Sequence, residues 1–316
     1  MSLKTNDAFK HLGAPEGFHV LDSAELKQLQ AVLMDMLLDV RDFCAAHDLR
    51  FCITGGSALG VARHRGIIPW DDDIDILMPR ADFNRFMTLF AIEMGDRYAV
   101  QVPGGTPGYP LLFGRVRRKG TSVRTRDDIM NRECGAYLDI FIAENTPGNP
   151  LLRGLHGVGA LALGFLVSCR KFRRDRATLL RMAEGSPELQ KQIRVKSAIG
   201  LCVSFLSLER WAGLADRWHR LCRNGNSRLI VIPSGRKKYF HELFPRDAVC
   251  EYQPLPFNGE TMPCMAKLDD YLKLIYGDYS VIPPEAEREA HVYLEPFEPG
   301  EPWRAADAAA DKEITP

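Results

Sequence analysis

At 316 residues, with 46% hydrophobic and 26% charged side chains, the chain can bury one large core or two modest ones. Its 41 Lys and Arg balance 41 Asp and Glu, so no global field recruits nucleic acid or an anionic membrane, and any such attraction must be local. Eight cysteines without a CxxC pair argue against a zinc cluster or a disulfide framework and suit a cytoplasmic setting.

Residues Met1 to Gly17 hold no apolar core of signal-peptide length, so no leader is expected. Asp22 opens an amphipathic helix, with Glu25 placed to complete a capping box and Leu26, Leu29, Leu33, Met36, Leu37, Val40 and Phe43 on one face. A short strand, Arg50 to Thr54, leads through Gly55-Gly56-Ser57 into a short helix, Ala58 to His64. Gly66 and Pro69 break that helix, and Asp71 to Met78 reads as a strand, followed by a helix over Ala81 to Met94. Two more strands are expected at Leu111 to Arg118 and Ala136 to Ala143.

Strands alternating with helices give an α+β catalytic module over 1–148, closed by the turn-rich Asn145 to Pro150. A mainly helical subdomain follows over 149–249, then a segment over 250–295 expected to pack back on the module, and a Pro-, Glu- and Ala-rich tail over 296–316 expected to be disordered. The longest apolar stretch, Gly157 to Cys169, is shorter than the roughly 20 residues that span a bilayer. The basic run Arg170, Lys171, Arg173, Arg174 and Arg176 reads first as a solvated helix face. Its second reading is a peripheral contact of Arg170–Arg176 with anionic lipid, at the inner face of the membrane, or with a phosphate-bearing acceptor.

Chemistry concentrates in Trp70-Asp71-Asp72-Asp73-Ile74-Asp75-Ile76. On a strand, Asp71, Asp73 and Asp75 share one face while Ile74 and Ile76 enter the core. Two such charges brought to about 5 Å repel by roughly 3 kcal/mol at an effective dielectric near 20. A divalent cation would offset this, and oxygen-only ligands favour Mg²⁺ or Mn²⁺. Asp139 projects opposite the apolar face Leu138, Ile140 and Ile142, so it is expected half-buried and in need of a partner. Gly55, Gly56 and Ser57, at a helix N-terminus, could receive phosphate oxygens. Arg63 and His64 close that helix, and Arg115 and Arg117 project together from a strand, suiting a diphosphate or simply an exposed face.

The stretch from Gly56 to Asp75, with Phe113-Gly114-Arg115-Val116-Arg117 and Tyr137-Leu138-Asp139-Ile140-Phe141, closely resembles the LicD family, which includes the fukutin-related proteins. The resemblance returns at Asp270-Tyr271-Leu272, Tyr276-Gly277-Asp278-Tyr279 and Pro283-Pro284, followed by Arg288 and His291. It implies a nucleotidyltransferase fold of the DNA polymerase β type, a mixed sheet with flanking helices. It also implies a phosphotransferase that moves phosphocholine or a polyol phosphate from a CDP-linked donor to a hydroxyl of a surface glycan or its lipid-linked precursor, as in lipopolysaccharide or capsule synthesis. By the family pattern Asp73 and Asp75 hold metal, Asp71 assists, and Asp139 is the third catalytic carboxylate; in a mechanism of that kind Asp139 is best placed to accept the hydroxyl proton. Arg115 stands where family members often carry Lys. The rival readings are a nucleotidyltransferase that uses an NTP and releases pyrophosphate, and a catalytically silent glycan-binding scaffold.

Overall fold

The computed structural model describes residues 17–131, 133–285, 288 and 292–300. The expectations for residues 1–16, for His291 and for the tail from 301 lie outside the described residues.

The capping box forms: the Asp22 carboxylate accepts from the Ala24 and Glu25 amides, and Glu25 reaches back to the Asp22 amide. It starts α1 (Ser23–Ala46), whose Leu29, Leu33, Met36, Leu37 and Val40 are buried as the spacing demands. Strand β1 (Cys52–Ile53) leads into α2 (Gly55–His64), which begins at the glycines themselves, three residues earlier than Ala58. Strand β2 (Ile74–Pro79) and α3 (Arg80–Glu93) follow, then β3 (Tyr98–Gln101), β4 (Gly114–Arg118) and β5 (Tyr137–Asn145). Phe43 of α1 meets Phe86 and Phe90 of α3 edge-on, at 5.7 and 4.9 Å between ring centres, sealing one face of the sheet.

The sheet is mixed, in the order β3-β4-β5-β2-β1-β9-β8. β2 and β5 run parallel, β4 lies antiparallel to both β3 and β5, and β1 pairs in parallel with β9 (Glu260–Met265). β9 and β8 (Tyr252–Phe257) form a hairpin whose turn residues Asn258 and Gly259 both take positive φ, the geometry an Asn-Gly pair adopts readily. Between strands on both sides, β4 is buried throughout, which overturns the exposed-face reading of Arg115 and Arg117.

The second layer is helical: α4 (Pro150–Arg174), α5 (Arg176–Met182), α6 (Pro187–Cys202) and α7 (Leu208–His219). The same segment also lends the sheet β6 (Leu229–Val231), paired with β5, and β7 (Leu243–Pro245). After α8 (Arg246–Cys250), helix α9 (Leu268–Tyr276) buries Tyr271, Leu272 and Ile275 and stops at Gly277. Helix α4 starts where Asn149 caps Leu151 and Leu152 and Pro150 fits the first turn, seven residues before the apolar run cut at Gly157.

The basic run at the end of α4 is not one solvated face. Arg170 donates to the carbonyls of Leu206 and Gly200, Lys171 is buried between Asp127 and Asp175, and Arg174 pairs with Asp175 and the Gly108 carbonyl. Helix ends and carboxylates converge there and require cations, so only Arg173 and Arg176 of the run stay exposed.

Candidate active site

Pairing of β2 with β5 sets Asp75 directly opposite Asp139, and Arg115 of β4 lies opposite Asp139 on its other side. One row across three strands thus carries carboxylate, carboxylate and guanidinium. Asp71, Asp72 and Asp73 precede the ladder in an extended stretch pinned by Gln30 of α1, which donates to the Asp71 carbonyl at 2.8 Å. The alternation survives outside the strand: Asp71, Asp73 and Asp75 are half-buried while Ile74 and Ile76 are buried. Yet Asp71, Asp72 and Asp73 each place an oxygen within 4.8 Å of the others, so Asp72, which alternation assigns to the opposite face, belongs to the cluster.

Burial first, then repulsion from Asp75 and Asp71, pushes the Asp73 carboxyl well above the usual carboxylate range. Asp75 is raised for the same reasons, with Asp139 its strongest charged neighbour and the Gly56 N–H opposing the shift.

The double glycine has a specific steric task. Gly55 sits at φ +57°, and a Cβ there would come within 2.2 Å of Asp75 Oδ2; at Gly56 it would come within 3.0 Å of Asp71 Oδ2. The first turn of α2 therefore receives the Asp75 carboxylate in this state. Ser57 turns away from the cavity and its Oγ accepts from the Asp75 amide at 2.9 Å, fixing β2. The Tyr271 hydroxyl, arriving from α9, accepts from the Gly55 amide at 3.1 Å and bonds the Thr54 hydroxyl at 3.0 Å.

Arg115 grips Asp139 with two bonds, of 2.5 and 2.9 Å, its guanidinium 3.7 Å from the centre of the Tyr137 ring. Burial still leaves the Asp139 carboxyl raised against that opposition. Arg117 is not on the cavity wall: it is spent on Asp128, Gln101 and the Gly135 carbonyl. His64 is also off the wall, edge-on to Trp70. Arg63 does reach the wall and donates to the carbonyls of Tyr279 and Val281, tying α2 to the segment after α9.

These groups face a cavity of about 580 Å³, within the range of small-molecule sites. Gly55, Gly56, Arg63, Arg115 and the carboxylates Asp71, Asp72, Asp73, Asp75 and Asp139 line it. Sequence reasoning missed Arg126, Arg236 and Glu242, which also line it and which no local motif announces. Burial lifts the Glu242 carboxyl to about 7, although it accepts from the Lys237 amide. The stacked Phe113–Phe141 pair, 4.7 Å between centres, adds an apolar wall beside Trp70 and Tyr276.

A family model described as LicD/FKTN/FKRP, nucleotidyltransferase domain, matches residues 48–142, the span from just before β1 to near the end of β5. The lipopolysaccharide cholinephosphotransferase LicD of Haemophilus influenzae is 24% identical over 285 residues, covering 86% of this chain and 97% of that protein. Shorter likenesses connect the chain to an uncharacterized protein of Rickettsia typhi, 33% identical over 57 residues (18% of each chain). An uncharacterized protein of Rickettsia prowazekii is 39% identical over 44 residues, 14% of this chain and 16% of that one. The domain match falls on the strands that carry the carboxylates, and the longer alignment extends over most of the chain; residues 48–142 carry a LicD-family domain.

Proposed function

We propose that the chain transfers a phosphate-linked headgroup, phosphocholine foremost, from a CDP-linked donor to a hydroxyl of a surface glycan or its lipid-linked precursor, on a nucleotidyltransferase-type fold. The observation that carries this reading is the row Asp75–Asp139–Arg115 beside the Asp71–Asp73 cluster, in a chain aligned with nearly all of a cholinephosphotransferase.

The carboxylate group suits Mg²⁺ or Mn²⁺: every donor is a hard oxygen, and burial with mutual repulsion leaves Asp73 and Asp75 short of compensating positive charge. Asp71, Asp73 and Asp75, with Asp72 and Asp139 alongside, would hold the ion, which when bound polarises phosphoryl oxygens and lowers the pKa of a hydroxyl. The remaining work belongs to the chain. Arg63, Arg115, Arg126 and Arg236 line the cavity where a diphosphate needs neutralising charge. Asp139 keeps a second lone pair on each oxygen despite the Arg115 fork, so it can accept the proton of an attacking hydroxyl while still oriented by Arg115. The aromatic wall excludes water and offers faces to a nucleobase or a trimethylammonium group.

The test offers the protein CDP-choline or ATP with Mg²⁺ and a glycan acceptor. CMP release that requires the acceptor, and that disappears in Asp73→Asn/Asp75→Asn, is the expected result. Pyrophosphate from ATP without CMP would establish the nucleotidyltransferase instead. Unchanged Mg²⁺ affinity in the double variant, read by calorimetry, would remove the metal assignment and leave the scaffold reading.

A further inference from the structure

We propose that the outward faces of α4 and α7 form a docking surface that seats the chain on an anionic bilayer, with α4 lying in the plane of the interface. The face of α4 turned away from the fold carries Leu151, Leu155, Val158, Ala162 and Phe165, spaced by four, three, four and three residues, flanked by Leu152 and Leu161. All are exposed, Leu151 to 73% and Val158 to 60%, and the face carries no polar side chain along its roughly 20 Å length. A helix in contact with water alone places charge there. Where the stripe ends, Gly200 of α6 seats against the Cys169 carbonyl, bringing the exposed Leu201 and Phe205 alongside.

Helix α7 supplies the charge. It lies against α4 through reciprocal bonds: the Trp218 indole donates to the His156 carbonyl at 2.8 Å, and His156 Nε2 donates to the Trp218 carbonyl at 2.7 Å. Its inward side buries Leu208, Ala212 and Ala215, so Arg210 and Arg217 point outward, with Arg223 exposed just past its end. The acidic residues of α7 are only partly exposed and already engaged: Glu209 accepts from the Gly108 amide and Asp216 pairs with Arg80. An apolar stripe beside a row of arginines without an opposing exposed carboxylate is the chemistry of interfacial binding to anionic lipid. Self-association through this face would bring the arginine rows of two copies together, so a bilayer is the better occupant.

By length and composition alone α4 could also cross a membrane. Its inner face argues for lying flat. His156 bonds the Tyr239 hydroxyl at 2.8 Å, and Gly157 is closed over by Phe240 and Tyr239, so insertion would tear α4 from β6 and the turn at Tyr239–His241. Docking in this orientation is independent of which headgroup the cavity transfers.

Flotation of the full chain with phosphatidylcholine vesicles, with and without phosphatidylglycerol, tests the surface. The chain is expected to float with the anionic vesicles, less so as salt rises. Leu155→Glu/Val158→Glu and, separately, Arg210→Glu/Arg217→Glu should each weaken binding at least about tenfold with an unchanged circular dichroism spectrum. Absence of flotation, or flotation indifferent to both variants, would overturn the proposal. So would a vesicle-independent dimer that Leu155→Glu/Val158→Glu dissolves, which would assign the face to a second copy.

Discussion

Gly55→Ala separates the two demands placed on the first turn of α2. The residue sits at φ +57°, where an L side chain costs about 1–2 kcal/mol, and its new Cβ would stand 2.2 Å from Asp75 Oδ2. Relief requires the carboxylate to retreat by about 1 Å, a displacement that at a catalytic group costs on the order of a hundredfold in rate. Gly259→Ala is the control: φ there is +81°, nothing lies within 4 Å of the added carbon, and the site is a hairpin turn outside the cavity. Urea unfolding should register a similar loss of about 1–2 kcal/mol in both variants. CMP release from CDP-choline should fall about a hundredfold in Gly55→Ala and stay near the parent value in Gly259→Ala. Equal activity in the two variants would refute the claim that Gly55 exists to admit Asp75.

Tyr271→Phe removes the acceptor of the half-buried Gly55 amide and should cost about 1 kcal/mol in urea, with kcat lowered through misplacement of α2. Arg115→Met leaves Asp139 buried without its fork and should destabilise the metal-free protein by about 3–5 kcal/mol, whereas Arg115→Lys retains the charge and should lose far less. The raised Asp73 and Asp75 carboxyls bind protons more tightly folded than unfolded. Metal-free stability should therefore be highest below about pH 4 as far as these two groups are concerned, and fall as pH rises through their folded values; Mg²⁺ should flatten that fall in a thermal-shift series. Glu242, lifted from 4.5 to about 7, adds a loss across that window, and Glu242→Gln should remove it and leave the variant more stable than the parent above pH 7.

The acidic strand was legible because burial alternates with a period of two even where the backbone is unpaired, from Asp71 through Ile76. Asp139 was legible because Leu138, Ile140 and Ile142 mark a central strand. What periodicity could not show is which loop residues gather: Asp72 joins the cluster because the ladder begins only at Ile74. Arg115 and Arg117 misled because charge suggested solvent, while the countercharges sit far along the chain, Asp128 beyond a loop and Asp139 on the neighbouring strand. Gly55-Gly56 suggests a phosphate cradle in the sequence; the glycines do open a helix, and the carboxylate seated against them is the chain's own Asp75. Strands β6 to β9 are short and carry prolines at 245, 254, 256 and 263, and β6 and β9 join the sheet through β5 and β1, far back in the chain, so local propensity gave little warning of them.

The hydroxyl of Tyr271 meets the Gly55 amide across 216 residues, and β1 finds its parallel neighbour only in β9. During synthesis the amino-terminal carboxylates emerge from the ribosome long before the helix that braces their turn. A chain arrested before Leu268 would hold every carboxylate of the cluster and lack that brace. Synthesis of α9 thus becomes a checkpoint: the candidate site is braced by a helix made long after the carboxylates, so products truncated before it carry the carboxylates without the brace.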